Sequence, residues 1–227
     1  VFNEVQFAAL ATDYDGTLAE DGHVSATTLE GLHRLKASGR KLVMVTGREL
    51  PDLKHVFPDL GVFDLVVVEN GALLYWPSTD EERPLAPSPP KEFIERLMEL
   101  KVAPISIGRC IVATWEPHET AVLQAIKDMQ LELSITFNKG AVMVLPTGVN
   151  KATGLDAALE QLGLTRDVVI GVGDAENDQA FLKICGMSVA VANALDSVKK
   201  TARWVTERPR GDGVVNLIDA LLAADNK

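Results

Sequence analysis

Short apolar runs alternate with segments of helical spacing along most of this chain. That alternation restricts the fold to a largely parallel sheet covered by helices. Phe7 to Thr12 is an apolar run that ends on Asp13 and reads as a buried strand. Ser25 reads as a helix N-cap, with Leu29, Leu32 and Leu35 at helical spacing and Gly39 as the stop. Lys41 to Val45 is a second strand, Glu49 to Phe57 a second helix, and Leu65 to Val68 a third strand that enters the turn Glu69-Asn70-Gly71. Further on, Lys151 to Leu162 reads as a helix closed by Gly163, and Val168 to Val172 as a strand opening on Gly173-Asp174. Asn177 to Ile184 (helix), Ser188 to Ala192 (strand) and Val214 to Ala223 (helix) complete the series.

The alternation breaks once. Pro77, Pro84, Pro87, Pro89 and Pro90 exclude a central strand or a helix interior over 77–90, which reads as a linker. Beyond it come a helix (Lys91 to Lys101), a strand (Ile105 to Ala113), a helix (Glu119 to Met129) and two strands (Glu132 to Thr136, Ala141 to Leu145), closed by Pro146-Thr147-Gly148. The expected architecture is α/β. A Rossmann-like, doubly wound parallel sheet is built from residues 1–82 and 148–227, and a small α+β cap domain, 83–147, is inserted in it.

Composition narrows the partners. The 227 residues are 47% hydrophobic and 24% charged, which suits a chain that buries a real core. A net charge of -10 argues against nucleic acid or an anionic membrane as partner, and no apolar run is long enough to span a bilayer. Val1 to Thr12 has no basic segment and reads as no leader. Cys110 and Cys185 make no metal-ligand spacing and fit a reducing, cytoplasmic setting, and the four histidines are scattered.

In a parallel sheet, ligands bind beyond the carboxyl ends of the strands, and the informative residues fall there. Asp13 and Asp15 flank one position, so both carboxylates can face one crevice, with Gly16 allowing a sharp turn. Alone, that pattern reads equally well as an acidic turn. Thr46-Gly47-Arg48 ends the second strand and suits a phosphate oxygen or, more simply, a capped turn. Lys151 opens a helix after Asn150, against the helix dipole, which marks either function or an exposed lysine. Gly173-Asp174-Ala175-Glu176-Asn177-Asp178 carries more acid than a helix cap needs, and Asp174 near Asp13 and Asp15 would make an oxygen-rich site for a hard cation. Neither a completed GxGxxG nor a GxxxxGK[ST] occurs.

Taken in order, Asp-x-Asp-Gly-Thr, Thr-Gly-Arg, Lys and Gly-Asp-x-x-Asn-Asp resemble the haloacid dehalogenase superfamily over nearly the whole chain. The insertion between Thr46 and Lys151, together with Asn70-Gly71-Ala72, is similar to its type IIB cap class, nearest the phosphoglycolate, sucrose-phosphate and Cof-like branches. The resemblance implies a magnesium-dependent phosphatase of a small phosphorylated metabolite. Asp13 would be the nucleophile and Asp15 the acid/base. Gly16, Thr46, Gly47, Lys151 and Asn177 would surround the phosphate. Mg2+ would lie on Asp13, the Asp15 carbonyl and Asp174, with Asp178 as ligand or orienter. Arg109, Trp115 and Lys139 fall on the cap and are candidates for substrate specificity, or else solvated surface residues. A phosphomutase or phosphotransferase is the alternative enzyme. A phospho-acceptor signalling domain is the non-enzymatic one, though such domains are shorter and lack the insertion.

Overall fold

A computed structural model describes residues 6–225; Val1 to Val5, which begin the stretch read above as free of a leader, lie outside it. Eight strands form the main sheet: β1 (Ala9–Thr12), β2 (Lys41–Val45), β3 (Leu65–Val68), β4 (Leu73–Trp76), β5 (Glu81–Pro84), β10 (Val169–Gly173), β11 (Met187–Ala190) and β12 (Trp204–Val205). Their order is β12-β11-β10-β1-β2-β3-β4-β5, parallel from β12 to β3 and antiparallel in β4 and β5. Four antiparallel strands form a second sheet, ordered β6-β7-β9-β8: β6 (Ser106–Ile107), β7 (Val112–Trp115), β8 (Leu133–Asn138) and β9 (Ala141–Pro146).

The helices are α1 (Ala26–Ala37), α2 (Leu50–Val56), α3 (Lys91–Glu99), α4 (Glu119–Asp128), α5 (Lys151–Leu162), α6 (Gln179–Ile184), α7 (Asp196–Thr201) and α8 (Arg210–Ala224). Among the described residues, no helix is long and apolar enough to cross a membrane. From β1 the chain steps to β2 on one side, and from β10 to β11 on the other. Right-handed crossovers therefore place α1 and α6 on opposite faces and open a crevice between the ends of β1 and β10. β1 is buried along its whole length, as a central strand covered on both faces must be.

Local chemistry explains why the elements start and stop here. The Ser25 hydroxyl accepts the Thr28 N–H and caps α1. Asn150 caps α5 by accepting the N–H groups of Ala152 and Thr153, while Thr153 Oγ1 accepts the Asn150 N–H. Gly163 ends α5 in the left-handed conformation.

Three features depart from the sequence reading. The expected linker over 77–90 contains β5, which pairs with β4 as an antiparallel edge hairpin. Proline is tolerated there because an edge strand leaves one side unpaired. The single strand expected over 105–113 is two, β6 and β7, separated by a turn at Gly108 to Ile111. The Glu69 carboxylate, from the end of β3, accepts the N–H groups of Arg109, Cys110 and Ile111 and holds that turn. β4 and the short α7 and β12 were not anticipated.

One close approach sets the position of α5. A Cβ on Gly154 would lie 2.5 Å from the Gly71 Cα and 2.6 Å from Val67 Cγ1, so the helix lies directly against the end of β3. Gly154→Ala should push α5 outward and cost about 2–3 kcal/mol, read as a lowered midpoint in urea unfolding. An unchanged midpoint would mean the contact is looser than the geometry implies.

Candidate active site

The site lies beyond the carboxyl ends of β1 and β10. Asp13 follows β1, and its N–H bonds the Val172 carbonyl of β10. Lys151 is the first residue of α5 and is 1% exposed. Its ammonium lies 2.6 Å from Asp13 Oδ1 and 2.6 Å from Asp178 Oδ1. The other Asp178 oxygen, Oδ2, accepts the N–H groups of Asp174 and Ala175. Asp178 thus ties the loop after β10 to the lysine. Asp174, also buried, accepts from Thr17 Oγ1 on Oδ1 and from Lys139 Nζ on Oδ2.

Electrostatics follow from crowding three acids in a buried place. Asp13 is pushed up to about 8, first by burial and then by Asp178, against the pull of Lys151. Asp174 is raised by burial, with Lys139 opposing. Burial works against the Lys151 charge, but Asp13 and Asp178 outweigh it and its pKa rises.

These groups suit a hard cation. Asp13, Asp174 and Asp178 each offer a carboxylate oxygen, all within 4.8 Å of one another. Among the described residues, this is the one group of three or more acids, histidines or cysteines so arranged. The space beside them is kept clear. Gly16 has φ +86°, and a Cβ there would lie 2.5 Å from Asp174 Oδ2. In that space an ammonium, Lys139 Nζ, contacts both Asp174 Oδ2 (2.8 Å) and the Asp15 carbonyl (3.1 Å), so a positive charge is already accommodated by these oxygens. Oxygen donors of this kind fit Mg2+.

The remaining expected residues divide. The Asp15 carboxylate is gripped at both oxygens by Arg48, which also reaches Asp52 and lies over the Tyr14 ring. Thr46 is buried after β2, and its hydroxyl accepts the Arg48 N–H. Gly47 lies beside Asn177, whose Nδ2 would be 3.9 Å from an added Cβ. Asn177 donates from Nδ2 to Asn70 Oδ1, while its own Oδ1 is buried with no partner among the described residues. The Gly16 N–H is used by the Ala19 carbonyl, so Gly16 contributes room more than a donor. Arg109 pairs with Glu82 instead of joining this network, and Trp115 is 53% exposed on β7.

Arg48, Thr17, Asn70 and Glu69 were not singled out by role. Arg48, Thr17 and Asn70 lie inside the quoted motifs, so their presence there was the available signal. Asn70 (φ 54°) and Glu69 (φ 52°) sit in the left-handed region, which a sequence signals only as a turn before glycine.

The Asp13 shift has a consequence for stability. Its folded-state pKa lies above its ordinary value of 3.8, so its contribution is full below that value and is lost as pH rises toward about 8. Metal-free protein should therefore lose stability between about pH 5 and about pH 8. Asp13→Asn should remove most of that loss, so its melting temperature should change less than that of wild type between about pH 5 and about pH 8. Differential scanning fluorimetry in chelator reads this; parallel pH profiles for the two proteins would refute it.

Comparison with known proteins agrees with this geometry. The sequence profile of the haloacid dehalogenase-like hydrolases matches residues 10–107 and 91–218. Phosphoglycolate phosphatase 2 of Saccharolobus solfataricus is 32% identical over 221 residues, covering 95% of this chain and 93% of that protein. A haloacid dehalogenase-like hydrolase from Bacteroides thetaiotaomicron superposes with TM-score 0.79 at 20% identity, over 95% of this chain and 99% of that one. A subclass IIB sugar phosphatase of the superfamily superposes with TM-score 0.76 at 20% identity, over 95% and 99% of the two chains. The chain belongs to the haloacid dehalogenase-like hydrolase family, as a phosphatase.

Proposed function

We propose that the protein hydrolyses a small phosphorylated metabolite carrying a second anionic group, with Mg2+ bound and through a phosphoenzyme on Asp13. The observation that carries this reading is the buried Lys151 ammonium, 2.6 Å from the Asp13 carboxylate at the end of the central strand, with Asp174 alongside. The relative from Saccharolobus solfataricus is named a phosphoglycolate phosphatase, and phosphoglycolate is the first substrate to test.

Asp13 attacks phosphorus with one carboxylate oxygen. The phosphorus–oxygen ester bond breaks and an acyl phosphate forms on Asp13. Asp15 gives its proton to the departing oxygen, then takes one from the water that attacks the acyl phosphate. Inorganic phosphate leaves and the Asp13 carboxylate is restored. Asp15 first has to leave the Arg48 fork. Lys151 holds Asp13 in place and offsets phosphoryl charge, Thr46 and Gly47 with Asn177 surround the phosphoryl oxygens, and Asp178 fixes Lys151. Bound Mg2+, held by Asp13, the Asp15 carbonyl and Asp174, would neutralise phosphoryl charge that otherwise repels the incoming carboxylate.

Residues 83–147 act in this reading as the cap that selects the substrate. Lys139 reaches Asp174 from this segment, and on this reading it meets the distal anion. Arg109 and Trp115 remain candidates at the cap surface.

Two experiments test the assignment. Asp15→Asn mixed rapidly with an aryl phosphate bearing an electron-withdrawing group should release a burst of about one equivalent of phenol and then almost stop, because that leaving group needs no proton but the acyl phosphate needs a base. Steady turnover without a burst, or substantial activity in Asp13→Asn, would reverse the roles. Lys139→Ala should raise KM for phosphoglycolate at least about tenfold more than KM for an uncharged aryl phosphate. Equal changes would remove Lys139 from distal-anion recognition.

A further inference from the structure

The turn between β8 and β9 consists of Lys139 and Gly140, since Asn138 pairs with Ala141. Both turn residues have positive φ, 48° and 86°. That is the two-residue hairpin turn that prefers Asn or Gly at its first position. A lysine there sits in a conformation that most side chains avoid, and the hairpin aims it at one place.

The place is specific. The Lys139 ammonium contacts Asp174 Oδ2 at 2.8 Å and the Asp15 carbonyl at 3.1 Å, and it would be 2.7 Å from a Cβ on Gly16. The stem is about half exposed (47%), while the Asp174 side chain it reaches is 4% exposed. β8 also packs against the Glu176–Asp178 turn, so the hairpin is seated on the loop that carries the acids. These two oxygens are among the three that the metal reading gives to Mg2+. An ammonium and a divalent cation gathered on the same two oxygens repel each other, so each weakens the binding of the other.

We propose that Lys139 is a tethered counter-ion that takes the cation position when no metal is bound and competes with Mg2+ for it. The inference rests on the metal reading above. When the hairpin is seated, Lys139 balances Asp174 and stitches the second sheet to the core. Mg2+ must displace it, and displacement leaves a free ammonium at the mouth of the site. A site open to metal for only a fraction of the time binds it more weakly by that fraction, so a lysine docked about nine-tenths of the time weakens apparent Mg2+ affinity about tenfold.

Calorimetric titration of Mg2+ into chelator-stripped protein, with no substrate present, tests this. Lys139→Asn suits the left-handed turn and removes the cation, and should tighten Mg2+ binding about tenfold. Lys139→Arg keeps a cation and should stay near the wild-type affinity. Lys127→Gln removes an exposed positive charge from α4 and should leave the affinity unchanged. Equal affinity in wild type and Lys139→Asn, or equal tightening in Lys127→Gln, overturns the competition while leaving the metal site standing. An absence of Mg2+ binding in every protein overturns the metal reading, and the competition with it.

Discussion

The buried ion pair between Lys151 and the two carboxylates of Asp13 and Asp178 is the interaction on which the rest depends. It joins three segments far apart in sequence: the end of β1, the first turn of α5 and the loop after β10. Burying charge is costly unless every partner is in place, and breaking one side of such a pair leaves an uncompensated ion. The surrounding structure supplies the partners. The capping box at Asn150 fixes where α5 begins, and the Gly71–Gly154 contact fixes how near it lies to β3. The two N–H groups of the β10 loop fill the far oxygen of Asp178. Caps and glycines that look like routine fold chemistry thereby set where Lys151 meets the two carboxylates.

Two of the contacts that hold the second sheet to the core differ in kind. Glu69 reaches from β3 and accepts three successive N–H groups of the β6–β7 turn, and its pKa is raised by burial against those bonds. Lys139 reaches in the opposite direction, from the β8–β9 turn to Asp174. The Glu69 contact is buried and has three hydrogen bonds, whereas the Lys139 contact has one end in solvent. Glu69 is therefore the firmer of the two, and the β8–β9 end is the natural place for the interface to give way.

Much of this was legible in the sequence for reasons that can be stated. Lys41 to Val45, Leu65 to Val68 and Lys151 to Leu162 agree with β2, β3 and α5 residue for residue, because apolar runs and strong caps are local signals. Asp13, Lys151 and Asp174 were singled out because acids cluster at two strand ends and a lysine opens a helix against its dipole, and the structure brings the three together. The β6–β7 turn was missed because what holds it is Glu69, forty positions away. The β4–β5 hairpin was missed because prolines argue against a strand only where both edges are paired. Thr17 and Asn70 act through contacts with Asp174 and Asn177 that no spacing rule encodes.

Charge connects the fold to the proposed chemistry. With a net charge of -10, the far field of the protein opposes any anionic substrate. Binding must then rest on charges met at short range, and the site draws these from two bodies: Lys151 from the core and Lys139 from the second sheet. With the hairpin lifted, the core presents three acids against one lysine, an arrangement that attracts a cation and repels a phosphate. Once a divalent cation is bound these charges sum to about zero, and the site no longer repels the phosphate. On the proposed reading, the displaced Lys139 then lacks its carboxylate partner at the moment an anionic substrate arrives. On that reading the same acidic cluster favours an order, cation before phosphate and phosphate before the seated lysine. That order follows from the sign of the charges alone.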